Sequence, residues 1–281
     1  MKPSQACPLS KLDKLLLATD RSSFSEGAVR EAIAFAKKCS SRLFVMSVLE
    51  TNPEYETIGA GAYQKEEEEA STYLKSVKAM ASQEGLSSCE TALHFGENPA
   101  RLIIKEAAEK KVDMIIIGRR GRSGLMKVLM GKTAAHVIGQ APCKVLIVPR
   151  AARIECRNIL VATDGSTHSI AAANEGIGIA KRCGGNIIAL SAMHSEEGSG
   201  EAKANVQQVV EMAQKEGITA EALTPLGRPH DVILETAGGR GVDLIVMGSY
   251  GRTGLKKLLM GSSTEKVIGH ASCAVLVVRA R

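Results

Sequence analysis

The sequence predicts an α/β protein made of two doubly wound units, each a parallel sheet with helices on both faces. Three observations predict it. Short, nearly continuous apolar runs alternate with stretches of helical character, the pattern of strands buried on both faces. The alternation occurs twice, in copies long enough to be domains. In each copy a glycine-bearing loop follows the fourth apolar run and leads into a short helix.

The repeat fixes the organisation. Residues 14–22, KLLLATDRS, match 158–166, NILVATDGS, at an offset of 144, and 43–48 match 187–192 at the same offset. From Asp113 against Asp243 the offset is 130 and holds to the end of the chain, so the first copy has about 14 extra residues, mostly after Leu49. With 281 residues there is room for about two ordinary domains. The expected boundaries are 1–150 and 151–281, joined by a link of about eight residues.

Taken in order, 14–19 is a buried strand, and Ser23-Phe-Ser-Glu26 has capping-box spacing at the start of a helix running to about Cys39. Strand 43–49 follows. The segment Thr51 to Tyr63 reads as a lid or a disordered connection, with the balance toward disorder. A helix near 65–84, stopped by Gly85, carries Lys65-Glu66-Glu67-Glu68-Glu69 as its solvated first turn. A strand near 89–95, a helix after Pro99, strand 113–118, a helix near 133–140 and strand 143–148 complete the unit. Right-handed crossovers give such a unit helices on both faces of its sheet.

Composition narrows the function classes. Apolar residues make up 44% of the chain, enough for real cores, and no run of about 18 apolar residues suggests a membrane span. The N-terminal residues lack the apolar core of a signal peptide, so a cytoplasmic protein is expected. Seven cysteines include no Cys-x-x-Cys pair, so they read as small buried hydrophobes rather than a disulfide framework or a zinc site. The net charge of +6 is concentrated in the first half, where 22 basic and 17 acidic residues leave +5. Much of that excess lies in Arg119, Arg120, Arg122, Lys127 and Lys132. Aromatic content of 3% leaves few stacking platforms, so nucleic acid is not an expected partner. The six histidines have no metal-ligand spacing and read as surface or capping residues.

The chemistry concentrates in 243–265. An apolar strand ends at Gly248, the loop carries Gly251 and Gly254, and Gly261-Ser262-Ser263-Thr264-Glu265 has the spacing of a second capping box. Strand, glycine loop and helix N-terminus direct backbone N–H groups and a positive dipole end toward one place, which suits phosphate. No Gly-Lys-Ser/Thr of a Walker loop is present, nor the Gly-x-Gly-x-x-Gly dinucleotide fingerprint. In open α/β sheets ligands sit beyond the carboxyl ends of the strands, at the point where the winding reverses. Asp20 and Asp164 end the first strands. Asp113 and Asp243 lie at the opposite end and read as turn residues.

The spacing Gly248, Gly251, Gly261-Ser262, together with the Ala-Thr-Asp strand end, resembles the nucleotide motif of the universal stress protein family, over nearly the whole chain and in both copies. The resemblance implies Rossmann-like units with strand order 3-2-1-4-5, related by a pseudo-twofold axis through their fifth strands, with further homodimerisation also implied. It implies ATP with Mg2+ as ligand. Asp164 would lie at the adenosine end, Ala192 opposite the base, Gly248 near the ribose, and Gly251, Gly261, Ser262 and Ser263 at the phosphates. In the first copy Asp20, Val48, Gly118, Gly121 and Gly131 occupy the matching positions, but Lys132 replaces Ser262 and Arg21 replaces Gly165. The first site is therefore expected to be altered. The resulting expectation is an ATP-binding stress or signalling module with no dedicated catalytic residue. A slow ATPase or autophosphorylating protein, and a scaffold for AMP, lipid or protein, are the alternatives.

Overall fold

A computed structural model of the chain describes residues 12–51, 60–120, 130–252 and 260–280. They divide into two compact units, 12–151 and 152 onward. The first comprises β1 (Lys14–Ala18), α1 (Glu26–Cys39), β2 (Arg42–Leu49), α2 (Ala60–Gln83), β3 (Cys89–Phe95), α3 (Pro99–Lys110), β4 (Met114–Gly118), α4 (Lys132–Gln140) and β5 (Lys144–Val148). The second repeats the succession as β6 (Asn158–Ala162), α5 (Thr167–Cys183), β7 (Asn186–Leu190), α6 (Ser199–Lys215), β8 (Ala220–Leu223), α7 (Pro229–Gly239), β9 (Leu244–Gly248), α8 (Ser262–His270) and β10 (Ala274–Val278).

All pairings within each unit are parallel. β1 lies between β2 and β4, with Leu16 opposite both Phe44 and Ile115; β3 flanks β2, and β5 flanks β4. The second unit repeats this, β6 lying between β7 and β9, with β8 and β10 beyond them. In each unit the winding reverses beside the first strand, as the 3-2-1-4-5 order requires. The central strands are buried along almost their whole length, whereas β3 and β8 are half-exposed. That contrast is why the central strands read as unbroken apolar runs.

Local signals explain most helix ends. Asn98 caps α3 by accepting from the Arg101 N–H at 3.1 Å, with Pro99 at the first helical position. Ser166 caps α5 by accepting from the Ser169 N–H at 3.2 Å. Three expectations need correction. The Ser23–Glu26 box does not form: residues 23–25 make a 3-10 turn, and the Ser25 hydroxyl is held by Thr19 at 2.9 Å and the Ser22 carbonyl at 2.8 Å. The Ser262–Glu265 box does not form either, because Gly261 is the N-cap of α8 and Ser262 its first helical residue. Finally, α2 begins at Ala60, so the glutamate run lies beyond its first turn. The remainder of the Thr51–Tyr63 segment, Gly121, Gly254, Arg122 and Lys127 lie outside the described residues.

Asp113 and Asp243 do more than turn the chain. The Asp113 carboxylate accepts the N–H groups of Asp13 and Lys14 at 2.8 and 2.9 Å. The Asp243 carboxylate accepts those of Cys156 and Arg157 at 2.7 and 2.8 Å. Each binds the start of the neighbouring first strand to the start of the fourth. Burial raises the pKa of Asp243, against the lowering effect of those backbone donors. The bonds therefore recover a desolvation cost, and an empty position would leave N–H groups without the acceptor they now have. Asp243→Ala is expected to destabilise the second unit by about 3 kcal/mol. Urea unfolding of the full chain measures it; an unchanged midpoint would mean that water replaces the carboxylate at no cost.

Candidate functional site

At the carboxyl end of each first strand the chain builds the same small frame. In the second unit, the Thr163 hydroxyl meets Ser169 Oγ at 3.2 Å and accepts the Gly165 N–H at 3.2 Å, while Asp164 Oδ1 accepts the Ser166 N–H at 3.0 Å. In the first unit, Thr19 meets Ser25 Oγ at 2.9 Å and accepts the Arg21 N–H at 3.2 Å, and Asp20 Oδ1 accepts from the Ser22 N–H at 3.1 Å and its hydroxyl at 2.8 Å. Residues 21 and 165 both adopt positive φ, +65° and +73°. Gly165 takes that conformation without a side chain to strain it; Arg21 does not have that freedom.

The second unit joins this frame to its glycine loop. Asp164 Oδ2 accepts the Arg252 N–H at 2.9 Å. A Cβ on Gly251 would lie 2.7 Å from the same oxygen, so the carboxylate can approach only because residue 251 is glycine. The loop then reaches α8 through the Gly261 N–H, which donates to the Ser249 carbonyl at 2.9 Å. Thr264 fixes the helix to the sheet by donating to the Gly248 carbonyl at 3.0 Å. Strand end, loop and helix N-terminus are one hydrogen-bonded assembly.

The three motif glycines have different reasons. A Cβ on Gly248 would lie 2.9 Å from His168 Cβ and 3.1 Å from the Ser169 nitrogen, so this glycine lets β9 close on α5. Gly251 admits the Asp164 carboxylate. A Cβ on Gly261 would find only ordinary contacts, the nearest at 3.6 Å, so packing does not demand glycine there. Ser262 is exposed and Ser263 half-exposed at the start of α8; Ala192 follows β7 and is half-buried. The structure thus brings Asp164, Gly248, Gly251, Gly261 and α8 together around one strand end.

In the first unit Asp20 holds the equivalent place, and Gly118 closes β4 on the chain at Phe24 and Ser25, within 3.4 Å of a built Cβ. Val48 is half-buried in β2. Gly131 is the N-cap of α4, with its N–H on the Arg119 carbonyl at 3.0 Å, and Lys132 is exposed at the first helical position. Burial, with Arg120 beside it, lowers the pKa of Arg119.

Four side chains were not singled out from the sequence. Arg252 forms an ion pair with Glu201 of α6, both half-exposed, and its Nη2 would lie 2.8 Å from a Cβ on Gly165. Asn205 of α6 is 9% exposed; its Oδ1 would lie 2.3 Å from that Cβ, and its Nδ2 is 3.5 Å from Ser191 Oγ. Tyr73 of α2 meets Thr19 Oγ1 at 3.4 Å. The signal for the last two lay in the helix-ending glycines, Gly85 and Gly217, which align Tyr73 with Asn205. Among the described residues no His, Cys, Asp and Glu cluster forms a metal site, and no helix is long and apolar enough to cross a membrane.

Two doubly wound α/β units, each with a carboxylate at the end of its first strand and a helix start close to the end of its fourth, define a duplicated, Rossmann-like α/β protein. The universal stress protein family model matches residues 11–149 and again 155–279, so the chain belongs to that family as a tandem member. A universal stress protein of Methanocaldococcus jannaschii is 34% identical over 141 residues, covering 49% of this chain and 82% of that protein. One from Synechocystis is 30% identical over 150 residues, covering 48% and 96%. A universal stress protein structure from Archaeoglobus fulgidus has the same fold along nearly the whole chain, with TM-score 0.80, 23% identity and coverage of 96% and 98%.

Burial works to raise the Asp164 pKa, but hydrogen bonds from Ser166 and the Arg252 N–H outweigh it and hold the carboxyl below its ordinary value. A depressed folded pKa contributes stability that is present above the unfolded value, about 3.9, and lost as pH falls through the lower folded value. The stability advantage of wild type over Asp164→Asn should therefore be full at neutral pH and shrink below about pH 4. Unfolding midpoints across that range test it; parallel pH profiles for the two proteins would refute it.

Proposed function

We propose that the second unit binds ATP, and that the protein acts as a nucleotide-dependent stress or signalling module. The observation that carries this is the 2.9 Å bond from the Arg252 N–H to Asp164, which draws the glycine loop onto the strand-end carboxylate. A carboxylate oxygen has two lone pairs, so Asp164 can keep its present bonds and still accept from a ribose hydroxyl. Gly261 has the room to let a phosphate approach the backbone. Beside it, the first N–H groups of α8 and the Ser262 hydroxyl offer donors reinforced by the helix dipole. Ala192 falls where the family resemblance sets the base, and Ser263 joins the phosphate side. Mg2+ enters this reading as the companion of the triphosphate.

Among the described residues of the crevice none is assigned as a general base, and we favour binding over fast turnover; slow hydrolysis or autophosphorylation is the enzymatic rival. The proposal extends to a cytoplasmic protein whose units pair through their fifth strands about a pseudo-twofold axis, with homodimerisation beyond that. The first unit is read as an altered site, with Lys132 in place of a hydroxyl donor.

Two variants test the second crevice. Gly251→Glu forces a side chain against Asp164 and fills the loop, and should abolish ATP binding there while the unit stays folded. Undiminished affinity in calorimetry would remove the assignment. Ser262→Ala separates ligand binding from helix capping, because Ser262 is not the N-cap. Loss of a hydrogen bond to a charged phosphate should weaken ATP by roughly 10- to 100-fold, with no change in the unfolding midpoint. A destabilised protein of unchanged affinity would reverse that reading.

A further inference from the structure

The two crevices differ most at the residue after the strand-end aspartate. Arg21 and Gly165 stand at the same point of the same hydrogen-bonded frame, with the same sign of φ. The Arg21 side chain is 6% exposed. Its Nη1 donates to Ser47 Oγ at 2.9 Å, and its Nη2 to Glu66 Oε1 of α2 at 3.0 Å. Ser47 is 1% exposed and immediately precedes Val48. The guanidinium therefore lies across the carboxyl end of β2, roofed by α2. Tyr73 fills the neighbouring space, its hydroxyl on Thr19.

In the second unit the corresponding pair is Gly165 and Asn205. Asn205 lies beside Ser191, and it is neutral and much smaller than arginine and tyrosine together. The second crevice also has a guanidinium above this turn, that of Arg252, but it is held differently. Arg252 and its partner Glu201 have side chains 50% and 56% exposed. An exposed ion pair contributes about 0–1 kcal/mol, so Arg252 can leave Glu201 for a phosphate. Arg21 has no such exit, because its charge is buried with hydrogen-bonding partners and removal of those contacts is costly.

We propose that Arg21, with Tyr73 beside it, is a specificity-determining residue that closes the nucleoside end of the first crevice. The duplicated chain then takes a nucleotide in its second unit only. This inference rests on the reading of Ser47–Val48 and Ser191–Ala192 as the base-side strand ends. It makes the difference between the units a steric matter at the nucleoside end, independent of Lys132 at the phosphate end.

The test restores the second unit's combination in the first. Arg21→Gly/Tyr73→Asn is made in the full chain, alone and together with Gly251→Glu, and ATP stoichiometry is measured by calorimetry. Gly at 21 suits the positive φ, and an unfolding midpoint confirms that each variant is folded. Wild type should bind about one equivalent, Gly251→Glu none, and the double variant about two. The triple variant should retain one, weaker than the second site by up to about 100-fold because Lys132 stands where that site has the Ser262 hydroxyl. Two equivalents in wild type, or one surviving in Gly251→Glu, would overturn the proposal. So would a folded triple variant that binds no ATP while the wild-type second site does. If wild type binds none and the double variant gains one, the second-site reading falls and this proposal stands. If neither binds, both fall.

Discussion

Pairing of the first strand of each unit with its fourth is the contact on which the rest depends. In the second unit it is secured crosswise by two carboxylates. Asp243, just before β9, takes the N–H groups of residues entering β6. Asp164, just after β6, takes the N–H of a residue leaving β9. The strands between them are apolar and almost wholly buried, so burial supplies the driving force while the carboxylates fix which residues meet at the ends. A one-residue slip would reverse every side chain between sheet faces and separate Asp164 from the glycine loop. Register and site geometry are thus one constraint.

Much of this was legible in the sequence. Fully buried strands need unbroken apolar runs, so the strands of the first unit are found within about a residue of their predicted places. The strand order was not legible from periodicity; it came from the family resemblance, and the pairings bear it out. The two capping boxes failed for a common reason. Ser-x-x-Glu spacing says that a helix is near, but not which residue becomes its N-cap. Thr19 takes the Ser25 hydroxyl, and the loop geometry assigns the other cap to Gly261. Arg252, Glu201, Asn205 and Tyr73 were missed because their roles depend on helices crossing the strand ends, which no local pattern encodes.

Duplication supplies an internal control for the site. The threonine and backbone bonds of the Thr-Asp-x-Ser frame agree in both units to within a few tenths of an ångström, although x is arginine in one and glycine in the other. The frame is therefore set by threonine, aspartate and serine, and x is set by its own surroundings: arginine fits in the first unit, whereas in the second a Cβ at 165 would lie 2.3 Å from Asn205 Oδ1. Variation at x then changes what lies over the strand ends without disturbing the sheet. A duplicated protein can diverge in ligand here at small cost to the fold, the cost being the strain of a non-glycine residue at φ near +65°.

The same comparison separates the parts of the glycine motif. Gly248 is required by the approach of β9 to α5, and Gly251 by the Asp164 carboxylate, whether or not a ligand is present. Of the three motif glycines only Gly261 is under no packing demand, and Ser262 beside it is exposed and has no capping duty. The positions of the motif that packing leaves open are therefore its last two. The first unit follows that division. It retains Gly118, where a built Cβ would press on Phe24 and Ser25, and it keeps the Gly131 cap, yet its next residue is Lys132. What it preserves is what its fold needs, and what it has changed is an exposed residue at the helix start. Read residue by residue, the glycine motif separates positions that packing requires, Gly248 and Gly251, from positions that packing leaves open, Gly261 and Ser262.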